Sequence, residues 1–445
     1  MYGGLLKSAS ALAILAAAGL YGISPASAAD LGGDCCADLE ERVAELEATT
    51  ARKGTRKVSL TISGHISQEL LFWDDGIRDD MYVTGNNASN SRWRMAGSAK
   101  ISPEWSAGFL YEFQFYASNN ASVNQGNAGD DAGNAGLGIV PNTGQTLLRE
   151  ANVWIEHSRL GRVTIGQGNT ASTNSMLVDL SGKSMGSSNY IALHAGGMVL
   201  NNGAAYGTAT WAHFISGRTD WLNGRHEAIQ YRTPTIAGFT LGASVGEDNF
   251  WDVALRYAGE FNGIRIAGAV SYAVLSEYNG PIPDGTGTGA AILDCVDNCE
   301  KKVKQWTGSL SIRHMPTGLF FTGAAGTRDI DDQDASGPAG NFSADFWYAS
   351  AGIARNFFGI GDTVLFGEYG VYSGAGIERY AGTAGADMEH WGVGITQHVD
   401  AAALELYVTY KNLSLSGIGA GAPAAIPAGS IEDYHMISVG TRIRF

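Results

Sequence analysis

The amino-acid sequence predicts an all-β protein: a transmembrane antiparallel β-barrel of about sixteen strands, with a short helix or coiled coil ahead of it. Three observations lead there. From Val58 to Phe445 the chain runs in segments of about ten residues in which apolar and polar side chains alternate. The links between segments alternate between short and long, as expected when the two ends of a barrel face different compartments. Gly supplies 61 of 445 residues while charged residues make up 16% and Pro only 10, which suits neither a disordered nor a collagen-like chain.

The first residues read as an export signal. Lys7 gives a basic start, residues 9 to 20 are nearly all Ala, Leu, Ile and Gly, and PASAA at 25 to 29 supplies small residues for a cut after Ala28. The apolar run is shorter than the roughly 20 residues a membrane-crossing helix needs, so residues 1–28 are assigned to a signal peptide. Neither Cys35 nor Cys36 has the preceding Leu and small residue of a lipid-modification site, and being adjacent they cannot easily pair with each other. Residues 29–56 hold the expected helix, DLEERVAELEATTARKG, with Leu39, Val43 and Leu46 at heptad spacing and an Asp38–Glu41 capping box. Two turns of seam do not stand alone, so this periplasmic segment either folds back on the barrel or forms a short trimeric coiled coil.

The barrel is assigned to residues 57–445, and parity identifies its inside. In WDVALRYAG (251 to 259), Trp251, Val253, Leu255 and Tyr257 point one way while Asp252, Ala254 and Arg256 point the other. A charge facing lipid at mid-membrane costs about 2–4 kcal/mol, so the apolar set faces out and Arg256 faces the lumen. The same reasoning places Arg265, Arg313, Glu405 and Lys411 inside, opposite the outward sets led by Ile266, Ile312, Leu406 and Tyr410. Short links are expected at 102 to 106, 157 to 161, 233 to 238, 259 to 263, 315 to 318, 358 to 363 and 399 to 402. Long ones are expected at 74 to 90, 117 to 146, 169 to 223, 275 to 303, 329 to 343, 374 to 386 and 413 to 431, and one further link on that side, near Glu247 to Asn249, is short. The last segment, YHMISVGTRIRF, sets Ile437, Val439 and Ile443 against Ser438, Gly440, Arg442 and Arg444, and ends on Phe445.

Charge and motif content exclude several classes. A net charge of −15 disfavours nucleic acid as a partner, since phosphate neutralisation needs an excess of Lys and Arg. DIDDQD (329 to 334) lacks the Gly and the terminal Glu of a calcium loop and reads as a solvated acidic loop, able at most to bridge to lipopolysaccharide through divalent ions. Cys295 and Cys299 have too few Cys or His nearby for zinc, and in an oxidising compartment they are expected to form a local disulfide. His65 and Ser67 share a face but have no third catalytic member, so neither enzyme activity, metal nor cofactor is expected.

Four passages resemble the alphaproteobacterial branch of the trimeric porins: ADLGGDCCADLEERVAELEATTARKG, REANVWIEHSRLGRVTIGQG (149 to 168), YRTPTIAGF (231 to 239) and the GTRIRF ending. The resemblance covers essentially the whole mature chain. It implies a homotrimeric, water-filled channel for passive diffusion of small hydrophilic solutes and ions across the outer membrane of a Gram-negative bacterium, with both termini periplasmic. A solute-selective channel for sugars or anions, with Trp154 and Tyr407 as stacking candidates, and a structural or adhesive barrel are the alternatives. Lipid and lipopolysaccharide would surround the barrel, and periplasmic chaperones and the barrel-assembly machinery would read the strand ending on Phe445. By the same resemblance, residues 169–223 are the external loop that folds inward and narrows the lumen, with 206 to 217 as an extra hairpin. A basic wall opposes acidic loop residues in that family. Arg92, Arg94 and Lys100, which alternate with outward Trp93, Met95 and Ile101, form the best basic wall here, with Asp179 as the loop acid and Lys183 beside it. Arg149 occupies a family constriction position, although its parity with Val153 and Ile155 points it outward. Arg232, Arg256 and Arg265 complete the expected lumen set.

Overall fold

The computed structural model describes residues 58–116, 118–126, 145–183, 185–187, 189, 191–213, 225–247, 249–278, 282–283, 291–293, 301–332, 340–374, 386–418 and 426–445. The expected signal segment 1–28, the expected helical segment 29–56 and the expected Cys295–Cys299 disulfide lie outside the described residues.

Alternating sequence becomes a closed antiparallel barrel of sixteen wall positions. They are β1 (Ser59–Asp74), β2 (in two pieces, Asp79–Thr84 and Arg92–Lys100), β3 (Trp105–Tyr116), β4 (Gln145–His157), β5 (Gly161–Asn169), β6 (Arg225–Arg232), β7 (Phe239–Gly246) and β8 (Trp251–Phe261). The circuit continues through β9 (Ile264–Tyr278), β10 (Lys301–His314), β11 (Leu319–Asp332), β12 (Gly340–Arg355), β13 (Thr363–Ser373), β14 (Asp387–Val399), β15 (Leu404–Ser416) and β16 (Tyr434–Arg444). Each strand pairs with its sequence neighbour, and β16 returns to β1 from Asp74↔His435 to His65↔Arg444. The Phe445 N–H donates to Gly64 O at 3.0 Å and Gly64 N–H donates back to Phe445 O at 2.9 Å, so the chain end itself completes the seam. Closure leaves no unpaired edge in the hydrocarbon layer, where every orphan backbone group is costly.

One expected external loop, 74 to 90, is instead partly wall. Residues 75–78 make a tight turn in which Asp75 Oδ1 accepts from the Ile77 and Arg78 N–H groups at 3.0 and 2.9 Å. Strand β2 starts straight after it, with Met81 and Val83 outward and Tyr82 and Thr84 inward. Residues 85–91 then leave the wall and carry the 3-10 turn Asn87–Ser89 into the lumen before β2 resumes at Arg92. The alternation in DDMYVT signals this strand, but the polar residues on either side hide it.

Parity holds around the wall: Trp251, Val253 and Leu255 are exposed on the outer surface while Asp252 and Ala254 are buried inside. The interior is two-zoned. Towards the short-turn end it is mostly polar, apart from a small apolar cluster of Phe320, Ala354, Val364 and Phe366. Towards the long-link end, inward Leu71, Trp73, Tyr372, Leu413, Tyr434 and Met436 pack against Met176, Ile191, Met198, Leu200 and Trp211 of the β5–β6 connection in one apolar core. That connection includes a small hairpin, Val199–Asn201 with Tyr206–Thr210.

Candidate functional site

The basic wall is assembled by cross-strand neighbours. Arg94 pairs in register with Glu112 on β3, and Glu112 faces Glu150 on β4. Three guanidinium groups converge on the buried Glu112 carboxylate. Arg92 Nη1 lies 3.2 Å from Oε1, Arg149 Nε 2.6 Å from Oε1 and Arg94 Nε 3.0 Å from Oε2. Arg92 is further fixed by donating to Ser89 Oγ at 3.2 Å and Asn90 O at 3.1 Å, and Arg149 by donating to Gln114 Oε1 at 2.5 Å. Arg225 is an electrostatic neighbour of both Arg92 and Glu150. Four guanidinium groups therefore meet two carboxylates, and the Arg94 side chain remains 44% exposed to the lumen.

Arg149 reaches this cluster because the ladder slips beside it. Glu112 pairs with Glu150, but the next residue, Phe113, pairs with Leu148. Arg149 is the extra residue of a β-bulge, which lets it and Glu150 both turn inward while Leu148 and Val153 stay outside. The outward expectation from strict period-two parity is corrected by this one inserted residue.

The β5–β6 connection runs around the opposite inner wall and is stapled to it strand by strand. Ala171 N–H donates to Ser244 Oγ (2.8 Å) and Ser172 N–H to Asp252 Oδ2 (2.9 Å). Val178 and Leu180 N–H groups donate to Ser309 and Ser311 Oγ at 3.0 and 2.9 Å. Farther on, His398 contacts Gly182 O at 2.9 Å and Asn86 Nδ2 donates to Met185 O at 3.1 Å. Polar wall residues thereby satisfy backbone groups that a loop inside a barrel would otherwise leave dry.

The expected site residues fall into three places. Arg92, Arg94 and Arg149 form the cluster. Asp179, Lys183 and Arg256 belong to the stapled side. Arg256 Nη2 donates to Thr173 O at 2.5 Å and Ala171 O at 3.1 Å, so it caps the loop. Asp179 pairs with Lys183 Nζ and accepts from Ser181 N–H at 2.7 Å and Thr322 Oγ1 at 3.2 Å. Burial raises the Asp179 carboxyl, but Lys183 and these hydrogen bonds outweigh it and hold the group below its ordinary value. It is thus neutralised by its own loop and does not face the arginines as a free acid. Lys100, Arg232 and Arg265 lie exposed at the short-turn rim, with Arg265 paired to Glu260 at 2.9 Å, so Lys100 stands apart from the basic wall in which it was expected. Tyr407 is no open stacking platform either: it is buried, donating to Glu69 Oε2 at 2.7 Å and accepting from Asn86 Nδ2 at 2.7 Å. Glu112, the centre of the cluster, was missed, although parity with Gly108 and Gln114 on β3 points it inward. Among the described residues no group of three or more His, Cys, Asp and Glu side chains is placed to hold a metal.

An apolar exterior, a closed sheet and a lumen narrowed by a stapled loop beside a charged wall define an outer-membrane β-barrel channel. The Gram-negative porin family model matches residues 10–417, and the chain belongs to that family. It forms an outer-membrane channel for passive diffusion of solutes. The fold is similar to that of the anion-selective porin from Comamonas acidovorans (TM-score 0.55, 16% identity, 87% of this chain and 100% of that one). It is also similar to the outer membrane channel DcaP of Acinetobacter baumannii (0.52, 10%, 89% and 100%) and to the trimer form of OmpT of Vibrio cholerae (0.51, 12%, 87% and 100%). Comparison with curated proteins finds no match.

Proposed function

We propose that the chain is a homotrimeric porin of the alphaproteobacterial branch whose aqueous path passes Arg94 and conducts small hydrophilic solutes, anions in preference to cations. The guanidinium cluster carries this reading: Arg92, Arg94 and Arg149 share the one Glu112 carboxylate with Arg94 open to the lumen, while the loop's Asp179 is neutralised by Lys183. A low-dielectric wall focuses such a field, so counter-ions concentrate in the narrow section. Residues 170–183, stapled along the inner wall, supply the narrowing.

Subunit association is supported by the outer surface of β3, where Trp105, Phe109, Tyr111, Phe113 and Phe115 occupy five outward positions and Trp93 stacks on Phe113 at 5.4 Å. Lipid-facing aromatics collect in girdles at the two interfaces, whereas this stripe runs the length of the strand, as suits contact with protein. Both termini then lie in the periplasm with the short turns, signal cleavage follows Ala28, and the exposed Phe445 ring is available to the assembly machinery. Lipid and lipopolysaccharide cover the remaining wall, and Cys295 and Cys299 close a local disulfide in an external loop.

Planar-bilayer recording tests the reading. Ohmic steps in threes and an anion-side reversal potential under a salt gradient are expected, and Arg92→Ala with Arg94→Ala should abolish the preference. A silent bilayer, or unchanged selectivity in the double variant, rejects it.

A further inference from the structure

The far end of the inserted segment is held by one buried knot. Glu368 on β13 accepts from Tyr348 Oη on β12 at 2.8 Å and from Ser187 Oγ of the segment, and it pairs with Lys411 Nζ on β15. All four residues are buried. A carboxylate and an ammonium taken out of water together are tolerated only while each keeps its partners.

Two histidines border this knot. His390 on β14 lies against the rings of Tyr348 and Tyr372, with centroids 5.9 and 5.7 Å away. His194 sits on the short helix Ala192–Ala195 of the inserted segment. Lys411 and Glu368 are electrostatic neighbours of both rings. Neither nitrogen of His390 nor Nε2 of His194 has a hydrogen-bond partner, although the residues are only 0% and 1% exposed. Among the described residues the other titratable groups around the knot are Tyr348 and Tyr372, then Asp179 and Lys183, whose Nζ is 5.8 Å from the Tyr348 ring, and Glu69, which faces Lys411. Asp179 is matched by Lys183 and Glu69 is held by Tyr407 and Asn86, so the carboxylate in direct contact with Lys411 is Glu368.

We propose that this knot is an acid-operated latch: protonation of His194 or His390 places a second cation beside Lys411, drives the segment around Ser187 and His194 off the wall, and widens the lumen. Burial first, and then the Lys411 charge, hold docked His194 down to about 3, against 6.5 for a histidine in water. A released segment returns it to the ordinary value. Docking is therefore unaffected above about pH 6.5. As pH falls from there towards 3, each unit favours release by about tenfold per histidine that regains its ordinary affinity. The loss runs in the acid direction because the docked form holds the ring neutral.

The test is single-channel conductance of the folded full-length protein from neutral pH to about pH 3.5, in the native chain, in His194→Gln and in His194→Gln/His390→Gln. A glutamine amide can occupy the site without ionising. A reversible rise in conductance is expected in the native barrel, displaced to lower pH in the single variant and absent in the double variant, with Glu368→Gln moving it to higher pH. The latch is overturned by a native barrel whose conductance does not rise, or by an unchanged midpoint in His194→Gln, which takes the acid step away from the inserted segment. The single variant lies outside the wall strands, so the test stands even if the double variant fails to assemble.

Discussion

The two sides of the lumen solve opposite problems with the same side-chain chemistry. On the β2–β4 side, Arg92, Arg94 and Arg149 surround Glu112 and keep an unbalanced charge in contact with water. On the β7–β14 side, Asp252, Arg256, Ser309, Ser311 and Glu368 are turned towards backbone groups of the inserted segment or towards one another. The first arrangement preserves a field and the second consumes it. Charged residues in a lumen therefore cannot be read as selectivity elements from their inward orientation alone; what matters is whether a protein group has already answered the charge.

Removing one partner from each side should sharpen the contrast. The largest effect is expected for Glu368→Ala, which strands the buried Lys411 ammonium and should cost on the order of 3–5 kcal/mol, seen as a lowered unfolding temperature of the barrel on semi-native gels. Retention of wild-type heat stability would mean the pair is not enclosed as described. Arg94→Glu should leave stability nearly unchanged while moving the reversal potential towards cations by several-fold in permeability ratio, since a half-exposed charge contributes little to folding. Ser309→Ala removes two hydrogen bonds to the segment, one from the Val178 N–H and one to Ser175 O, together worth about 1–3 kcal/mol, and should raise current noise from the loop without altering selectivity. Smallest of all, Lys100→Ala should change stability by less than about 0.5 kcal/mol and shift conductance slightly, because this residue sits at the rim.

Much of the barrel was legible because its rule is simple. Lipid penalises outward charge strongly enough that Asp252, Arg256 and Glu405 could be placed by counting from their apolar neighbours. The rule failed where its premises did. It assumes a wet interior, so inward Leu413, Leu415, Tyr434 and Met436 had no explanation until the inserted segment made the outer half of the lumen dry. It assumes continuous strands, so the first piece of β2, Asp79–Thr84, cut off by the break at 85–91, was read as part of a loop. The constriction set was the least readable part. Arg256 and Asp179 were recognised as chemistry-bearing, yet whether a charge is free depends on contacts far along the chain, such as Arg256 with Thr173, 83 residues away, and Asp179 with Thr322, 143 away, and local pattern carries no trace of them.

The single extra residue at Arg149 makes β4 unusually sensitive to the reading frame of its own side chains. Deleting Arg149 would join Leu148 to Glu150 in simple alternation and remove one guanidinium while every other residue kept its face. Deleting Asn152, three positions away, would exchange inside for outside along part of the strand, presenting polar groups to lipid and valines to water. For a barrel wall, then, the harm done by a one-residue deletion depends less on the residue lost than on whether the ladder had already counted it.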